Sequence, residues 1–332
     1  MAIFCNKAVP AGMVTLLFGL CASAADPALL QMVMPDAKVI IGIDVEASKA
    51  SPLGELMIER LREEQKSIGL LSESAGFDPR RDLRHVVIAS SAVDSGSGRQ
   101  SGLLLARGQF NIERIVEGAR AAGARTVKFM GADIIVTRLV PGSGPAPGWV
   151  ALLEDSVAVM GDEASVRGAL ERRDGTTAQI DPRLATRIQG LSALHHAWFT
   201  TTASIASLAD QVPGARMNGL MRGELFRSVE EASGGIRFGD DVTIEAEAVT
   251  ASERDAKAMV DVIRFLAGMV QTNRAGSTAV TTLLDSMELK REGSTMRFTL
   301  SMPQGQFEQL LRKPELRGAL APRRTGGVEA AQ

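Results

Sequence analysis

Residues 241–270 constrain this chain more than any other stretch. Val242, Ile244, Ala246 and Ala248 alternate with Thr243, Glu245 and Glu247, the period of a strand with one apolar and one wet face. Thr250 and Ala251 lead into Ser252-Glu253-Arg254-Asp255. Ser252 is placed to cap a helix, and Asp255 lies near its positive end. Ala256, Met259, Val260, Ile263, Leu266, Ala267 and Val270 then recur at three- and four-residue steps, which gives the helix one continuous apolar face. A half-apolar strand running into a half-apolar helix buries both faces in a two-layer α+β domain.

The same unit recurs earlier. Gly102–Gly108 reads as a strand, and Asn111 caps a helix with Ile112, Ile115, Val116 and Ala119 on one face. Lys38–Val45 is a β-branched first strand, followed by a helix that Ser51-Pro52 opens and that Leu53, Leu56, Met57, Leu61 and Ile68 stripe. Phe77–Asp82 is a turn and Leu83–Ser91 a strand. Thr126–Met130 and Asp133–Arg138 make a hairpin, Trp149–Leu153 and Ser156–Met160 another, and Asp162 caps a short helix. Pro27–Pro35 and Val140–Gly148 read as connectors, and Asp174–Gly190 as a boundary loop with a helical turn near Leu184–Ile188.

The pattern then restarts. His196–Thr202 is a strand, Ile205–Val212 and Met217–Ala232 are helical pieces, and Gly235–Phe238 precedes the strand at 241. Leu284–Arg291 and Thr295–Met302 form a hairpin across Glu292-Gly293, and Pro303–Leu311 is a last helix. The expected fold class is therefore α+β: two related β-α-β-β-α-β-β-α halves, mainly antiparallel, with helices packed on one face. The expected boundaries are a first repeat over 25–175, a second over 190–313 and a flexible tail over 314–332.

Lys7 is the only charge in residues 1–24. Ala8 to Leu20 is apolar apart from Thr15, and Ala22-Ser23-Ala24 fits a small-x-small cleavage rule. This predicts a signal peptide over 1–24 and export to the periplasm or the medium. The apolar run falls short of the roughly 20 residues of a membrane span, so no transmembrane segment is expected in the mature chain. Both cysteines, Cys5 and Cys21, precede the cleavage site. The mature chain then has no disulfide and no thiol chemistry, and its apolar core alone must hold it.

Net charge is −2 over 332 residues, which offers nucleic acid no attractive field. There is no Tyr, and Trp149 and Trp198 are the only tryptophans. Neither a Walker loop nor a dinucleotide fingerprint, a nucleophile elbow or an H-E-x-x-H motif is present. His195 and His196 are adjacent on a strand end, so they point to opposite faces and do not chelate one ion. His85 is the only other histidine. Asp78, Arg80, Arg81 and Asp82 form the densest charged turn, either an anion- or partner-docking point or a solvated turn that pairs locally. No catalytic residue, metal or cofactor is expected.

Met34-Pro35-Asp36-Ala37, Ser51-Pro52-Leu53, Gly76-Phe77-Asp78-Pro79-Arg80-Arg81-Asp82 and Gly102-Leu103-Leu104-Leu105-Ala106-Arg107-Gly108 resemble a family of exported bacterial proteins of unknown function. The resemblance covers residues 34–170. It implies export and a duplicated α+β fold, and no reaction. The expectation is an exported non-enzymatic protein that binds an envelope or extracellular partner or has a structural role. The alternative is a secreted hydrolase or small-ligand-binding protein whose site forms only in the fold. The mature chain is expected to begin just after Ala24 or Ala25, which mass spectrometry of the exported protein's N-terminus reads directly; a start at Met1 would contradict it.

Overall fold

The computed structural model describes residues 25–52, 54–55, 77–91, 101–137, 147–154, 156–175, 180–203, 227–272, 284 and 286–312. The segment expected to be a signal peptide, with both cysteines, most of the helix expected after Ser51, the helical pieces expected at 205–226 and the expected tail lie outside the described residues.

In chain order the elements are α1 (Pro27–Met32), β1 (Ala37–Asp44), α2 (Val45–Lys49), α3 (Pro79–Asp82), β2 (Leu83–Ser91), β3 (Gly102–Gly108), α4 (Ile112–Ala121), β4 (Arg125–Phe129), β5 (Ala132–Thr137), β6 (Gly148–Leu153), β7 (Val157–Gly161), α5 (Glu163–Arg173), α6 (Pro182–Leu194), β8 (Ala197–Thr201), β9 (Val229–Arg237), β10 (Asp241–Thr250), α7 (Glu253–Thr272), β11 (Met287–Glu292), β12 (Thr295–Pro303) and α8 (Gln304–Arg312). Twelve strands make one sheet, in the order β11-β12-β10-β9-β8-β1-β2-β3-β7-β6-β5-β4. Each neighbouring pair is antiparallel. The protein is thus α+β with a large antiparallel sheet.

Caps read from the sequence set several helix starts. Asn111 accepts from the N–H of Arg114 at 3.0 Å, Asp162 from that of Ser165 at 3.0 Å, and Ser252 Oγ from that of Asp255 at 3.2 Å, each satisfying a helix-end donor.

The helices pack on both faces of the sheet, not on one. Leu29 and Met32 of α1, Val166 and Ala169 of α5 and Ile188 of α6 bury against Ile40, Val87, Leu105, Ala151, Val159 and Trp198. On the opposite face α4 packs Val116 and Ala119 against Ala106, Val150 and Ala158. The register carries that second face from Leu104 through Ile88, Ile41, Phe199, Gly234 and Ala246 to Phe298. There α7 and α8 lay Met259 and Phe307 on the sheet. All six residues of β6 are buried, as a strand covered on both sides requires. Each large aliphatic chain so buried contributes about 1.5–3 kcal/mol.

Three expectations are corrected. The connector at 27–35 contains α1: the Asp26 side chain accepts from Ala28 N–H and Pro27 opens the helix. The boundary loop contains α6, capped by Asp181, with Ile188 fully buried and Leu184 and Leu191 against the same core. Those three residues have helical spacing, and the polar residues between them hid the stripe. The helix expected to run to Ala232 gives way to β9 from Val229 onward. Alanine and glutamate favour a helix, but pairing with β8 and β10 overrides that preference.

β9 also shows why glycine sits mid-strand. A Cβ on Gly234 would lie 2.3 Å from the Glu245 carbonyl oxygen, and one on Gly235 2.5 Å from His195 Cγ. Gly42 has the same role in β1: the indole of Trp198, its cross-strand partner, would stand 2.2 Å from a Cβ. Gly42→Ala is expected to cost about 1–3 kcal/mol through overpacking, measured as a lower urea midpoint.

Candidate functional site

The three histidines all stand at one end of the central strands. Asp44 ends β1 and lies opposite His85 of β2 in the register. One Asp44 carboxylate oxygen is 4.0 Å from His85 Nδ1 and accepts from the Ala47 N–H at 2.9 Å, capping α2. The Asp44 N–H donates to the His196 carbonyl at 2.7 Å. A strand that ends in aspartate and turns at once into a helix brings a carboxylate between two histidines.

His196 is committed to the fold. Its Nδ1 accepts from the Phe238 N–H at 3.1 Å, and its ring lies tilted on that of Phe238 with centroids 5.8 Å apart. Burial lowers its pKa, while Asp44 opposes the shift. His195 ends α6 on the other side of the strand. Its N–H donates to the Leu191 carbonyl at 2.9 Å, and its Nδ1 lies 3.0 Å from the same oxygen. A carbonyl only accepts, so Nδ1 carries a proton. Nε2 lies 3.0 Å from Glu245 of β10. The two neighbouring rings point apart.

The charged turn lies at this same end, just before β2. Asp78 caps α3, its side chain accepting from the Arg80 N–H at 2.9 Å, and its own N–H donates to Asp82 at 2.8 Å. Arg81 grips Asp82 with two bonds, of 2.6 and 2.8 Å. Arg81 thereby holds the buried Asp82 carboxyl below its ordinary range. Arg80 reaches Glu55 at 3.4 Å, and Lys49 donates to the Leu83 carbonyl at 3.0 Å. Each named charge of the turn has a local partner, and Asp82 is part of the fold. Among the described residues no three His, Cys, Asp or Glu are grouped to hold a metal.

Two surfaces were not singled out from the sequence. On the α4 side, Ile41 lies between Ile88 and Phe199 in the register, with those two 38% and 37% exposed. Cross-strand pairing makes them one apolar row over β2, β1 and β8. The strand pattern alone carries no sign that Ile88 and Phe199 stand partly exposed. The second is a shallow cleft of about 490 Å³ between α7 and β11, at the sheet edge away from the histidines.

No family model and no curated protein matches the sequence. Among solved structures, crystal form I of TP0453 matches with a TM-score of 0.50 over 85% of this chain and 96% of that chain, at 11% identity. The likeness is one of fold.

A histidine whose pKa falls on folding stabilises the protein above its unfolded value of 6.5 and ceases to do so as pH drops through its lower folded value. Asp26 and Asp82 are held below 3.8 and act only in stronger acid. His196→Asn keeps an acceptor for Phe238 without a titrating ring. It is expected to lose less stability than the parent between about pH 7.5 and about pH 5.5 in urea unfolding; an equal loss would refute the assignment.

Proposed function

We propose that the chain is an exported, non-enzymatic protein that binds a partner, or has a structural role, in the cell envelope or outside the cell. The apolar row Ile88–Ile41–Phe199 carries this reading. Large side chains side by side on an open sheet face are a docking feature, whereas scattered ones are ordinary surface. The bonds of the histidines point the same way. Both ring nitrogens of His195 and Nδ1 of His196 face partners that fix the fold, which leaves these rings poorly placed for proton transfer. The N-terminal segment supports export.

We also infer a divergent duplication. Outward from the β1–β8 pair, one side runs β1-β2-β3-β7-β6 and the other β8-β9-β10-β12-β11. A helix follows the third strand of each run, α4 after β3 and α7 after β10. Another follows β7 and β12, namely α5 and α8. The hairpin β4–β5 is the addition of the first half. The matching order supports common descent of the halves, although α5 and α8 lie on opposite faces.

The test is recovery from a cell-envelope extract with the exported protein as bait, the prey identified by mass spectrometry. A prey retained by the parent is expected to be lost with Ile88→Glu and Phe199→Glu variants whose urea midpoints match the parent. Retention by both variants, or turnover of a substrate by the purified chain, would overturn this reading.

A further inference from the structure

The outer edge of β11 has an open ladder among the described residues. β12 pairs with it on one side. Gly293, at φ +59°, and Ser294 form the two-residue turn between the paired residues Glu292 and Thr295. Such a turn closes on a hydrogen-bonded pair, and bonding alternates back along the strand. Glu292, Lys290 and Glu288 therefore turn their backbone groups to β12, while Arg291, Leu289 and Met287 turn theirs outward. A side chain from α7 marks the same phase: Arg264 Nη2 donates to the Leu289 carbonyl at 3.2 Å. It stands where the N–H of one more strand would stand.

The cleft beside this edge is basic. Lys257, Asp261 and Arg264 line its α7 wall at helical steps, and Lys290, Arg291 and Glu292 line the β11 wall. Arg291 shares its sheet face with Leu289, the face on which α7 packs. Lys257 bonds Asp261 at 2.7 Å and lowers its pKa, with Arg264 and Arg291 adding to the effect. The lining thus holds two carboxylates, Asp261 and Glu292, against four cations, Lys257, Arg264, Lys290 and Arg291. Arg264 and Arg291 spend bonds on the carbonyls of Leu289 and Gly293, while Glu292 is engaged by Arg297 at 2.7 Å. Phe265, one turn beyond Asp261, is 65% exposed. An open strand edge and an excess of positive charge therefore meet in one cleft, with a bare aromatic ring just outside its lining on α7.

We propose that this cleft takes an acidic peptide segment in extended form, which adds to the sheet beside β11. The peptide backbone would bond the outward groups of Leu289 and its neighbours, as in recognition by strand addition. Its carboxylates would pair with Arg264 and Arg291, and an apolar side chain on the same face would cover Phe265. Arg264 would exchange the Leu289 carbonyl for a carboxylate, a stronger bond. Glu288, Lys290 and Glu292 on the other face oppose indiscriminate pairing of edges. The cleft is separate from the apolar row on β2, β1 and β8, and either surface can fail without the other.

The probe is a fluorescein-labelled Thr-Glu-Thr-Leu-Thr-Glu-Thr peptide, titrated with the purified chain and read by fluorescence polarisation. Saturable binding is expected, weaker at high salt. Arg291→Glu, alone and with Arg264→Glu, is expected to weaken it about tenfold or more, and Phe265→Ala about threefold. Asp261→Asn, which removes the competing carboxylate, is expected to tighten it. The same peptide with Lys for Glu, or with its strand-bonding amides N-methylated, is expected not to bind. Circular dichroism and urea midpoints establish that each variant is folded. Arg291→Glu and Asp261→Asn keep the test open should the Arg264 variant misfold. Absence of saturable binding, indifference to both charge changes, or retained binding of the N-methylated peptide would overturn the proposal. Self-association in sedimentation that Arg291→Glu abolishes would give the edge to a second copy instead and overturn it equally.

Discussion

The structure depends on the antiparallel pairing of β1 with β8. Five cross-strand pairs, from Val39↔Thr201 to Ile43↔Ala197, join residues about 160 positions apart along the chain. Without them the twelve strands would be two sheets, each with one more exposed edge, at β8 and at β1. The pairing depends in turn on a glycine. Trp198 is 5% exposed and lies over its partner Gly42, so the indole fills the core of the α1–α5–α6 face without pushing the strands apart. The next residue in that row is Gly235, with His195 laid against it. Two missing side chains thus admit two large rings at the seam between the halves.

Around the seam, polar anchors tie helices to the sheet where burial alone would leave them free to slide. Arg107 of β3 bonds Asp26, the cap of α1, at 2.6 Å. Burial would raise the Asp26 pKa, and Arg107 together with the N–H groups of Ala28 and Leu29 more than offsets it. Arg172 of α5 donates from Nε and Nη2 to the Met32 carbonyl at the end of α1. Burial lowers the Arg172 pKa, and Asp36 and Glu171 resist the fall. A helix of six residues is too short to persist alone. It is held at its start by a carboxylate that β3 clamps, and at its end by a guanidinium from α5.

How legible this was depended on whether a signal was local. Leu83–Ser91 and Asp241–Thr250 have the boundaries expected of them, the second from its alternation, and Asn111, Asp162 and Ser252 cap as their positions in the sequence imply, because caps and strand periods are set within a few residues. The misread elements are those in which distant contacts outvote local ones. Val229–Arg237 has the composition of a helix and turn, and becomes a strand because two neighbours bond it. α1 and α6 follow Asp-Pro starts that read equally well as loops, and only the core beneath Leu29 and Ile188 decides. The all-buried β6 announced itself as a continuous apolar run, yet the expectation of helices on one face missed its meaning. At the candidate site, the opposed directions of His195 and His196 followed from strand geometry. The convergence of Asp44 with His85 and His196, and the local pairing of Arg81 with Asp82, required the register of β1 against β2 and β8.

The two open surfaces differ in what they leave unsatisfied, and hence in what they select. At the centre, Ile41, Ile88 and Phe199 belong to fully paired strands, so their backbone groups are spent and apolar area alone is on offer. Such a surface rewards shape and area, with little directional preference. At the β11 edge the balance is reversed. Little apolar area is exposed beyond Phe265, but outward backbone groups and clustered guanidinium groups are directional and charged. They favour an extended chain with carboxylates at alternate positions. Among the described residues the twelve-stranded antiparallel sheet has two edges, β4 and β11. β4 is short, five residues, and presents Arg125 and Lys128. At β11 a helix stands beside the strand and forms a wall. A wall is what turns an edge that must be guarded into a groove that discriminates, because it adds side-chain contacts to a ladder that is otherwise blind to sequence.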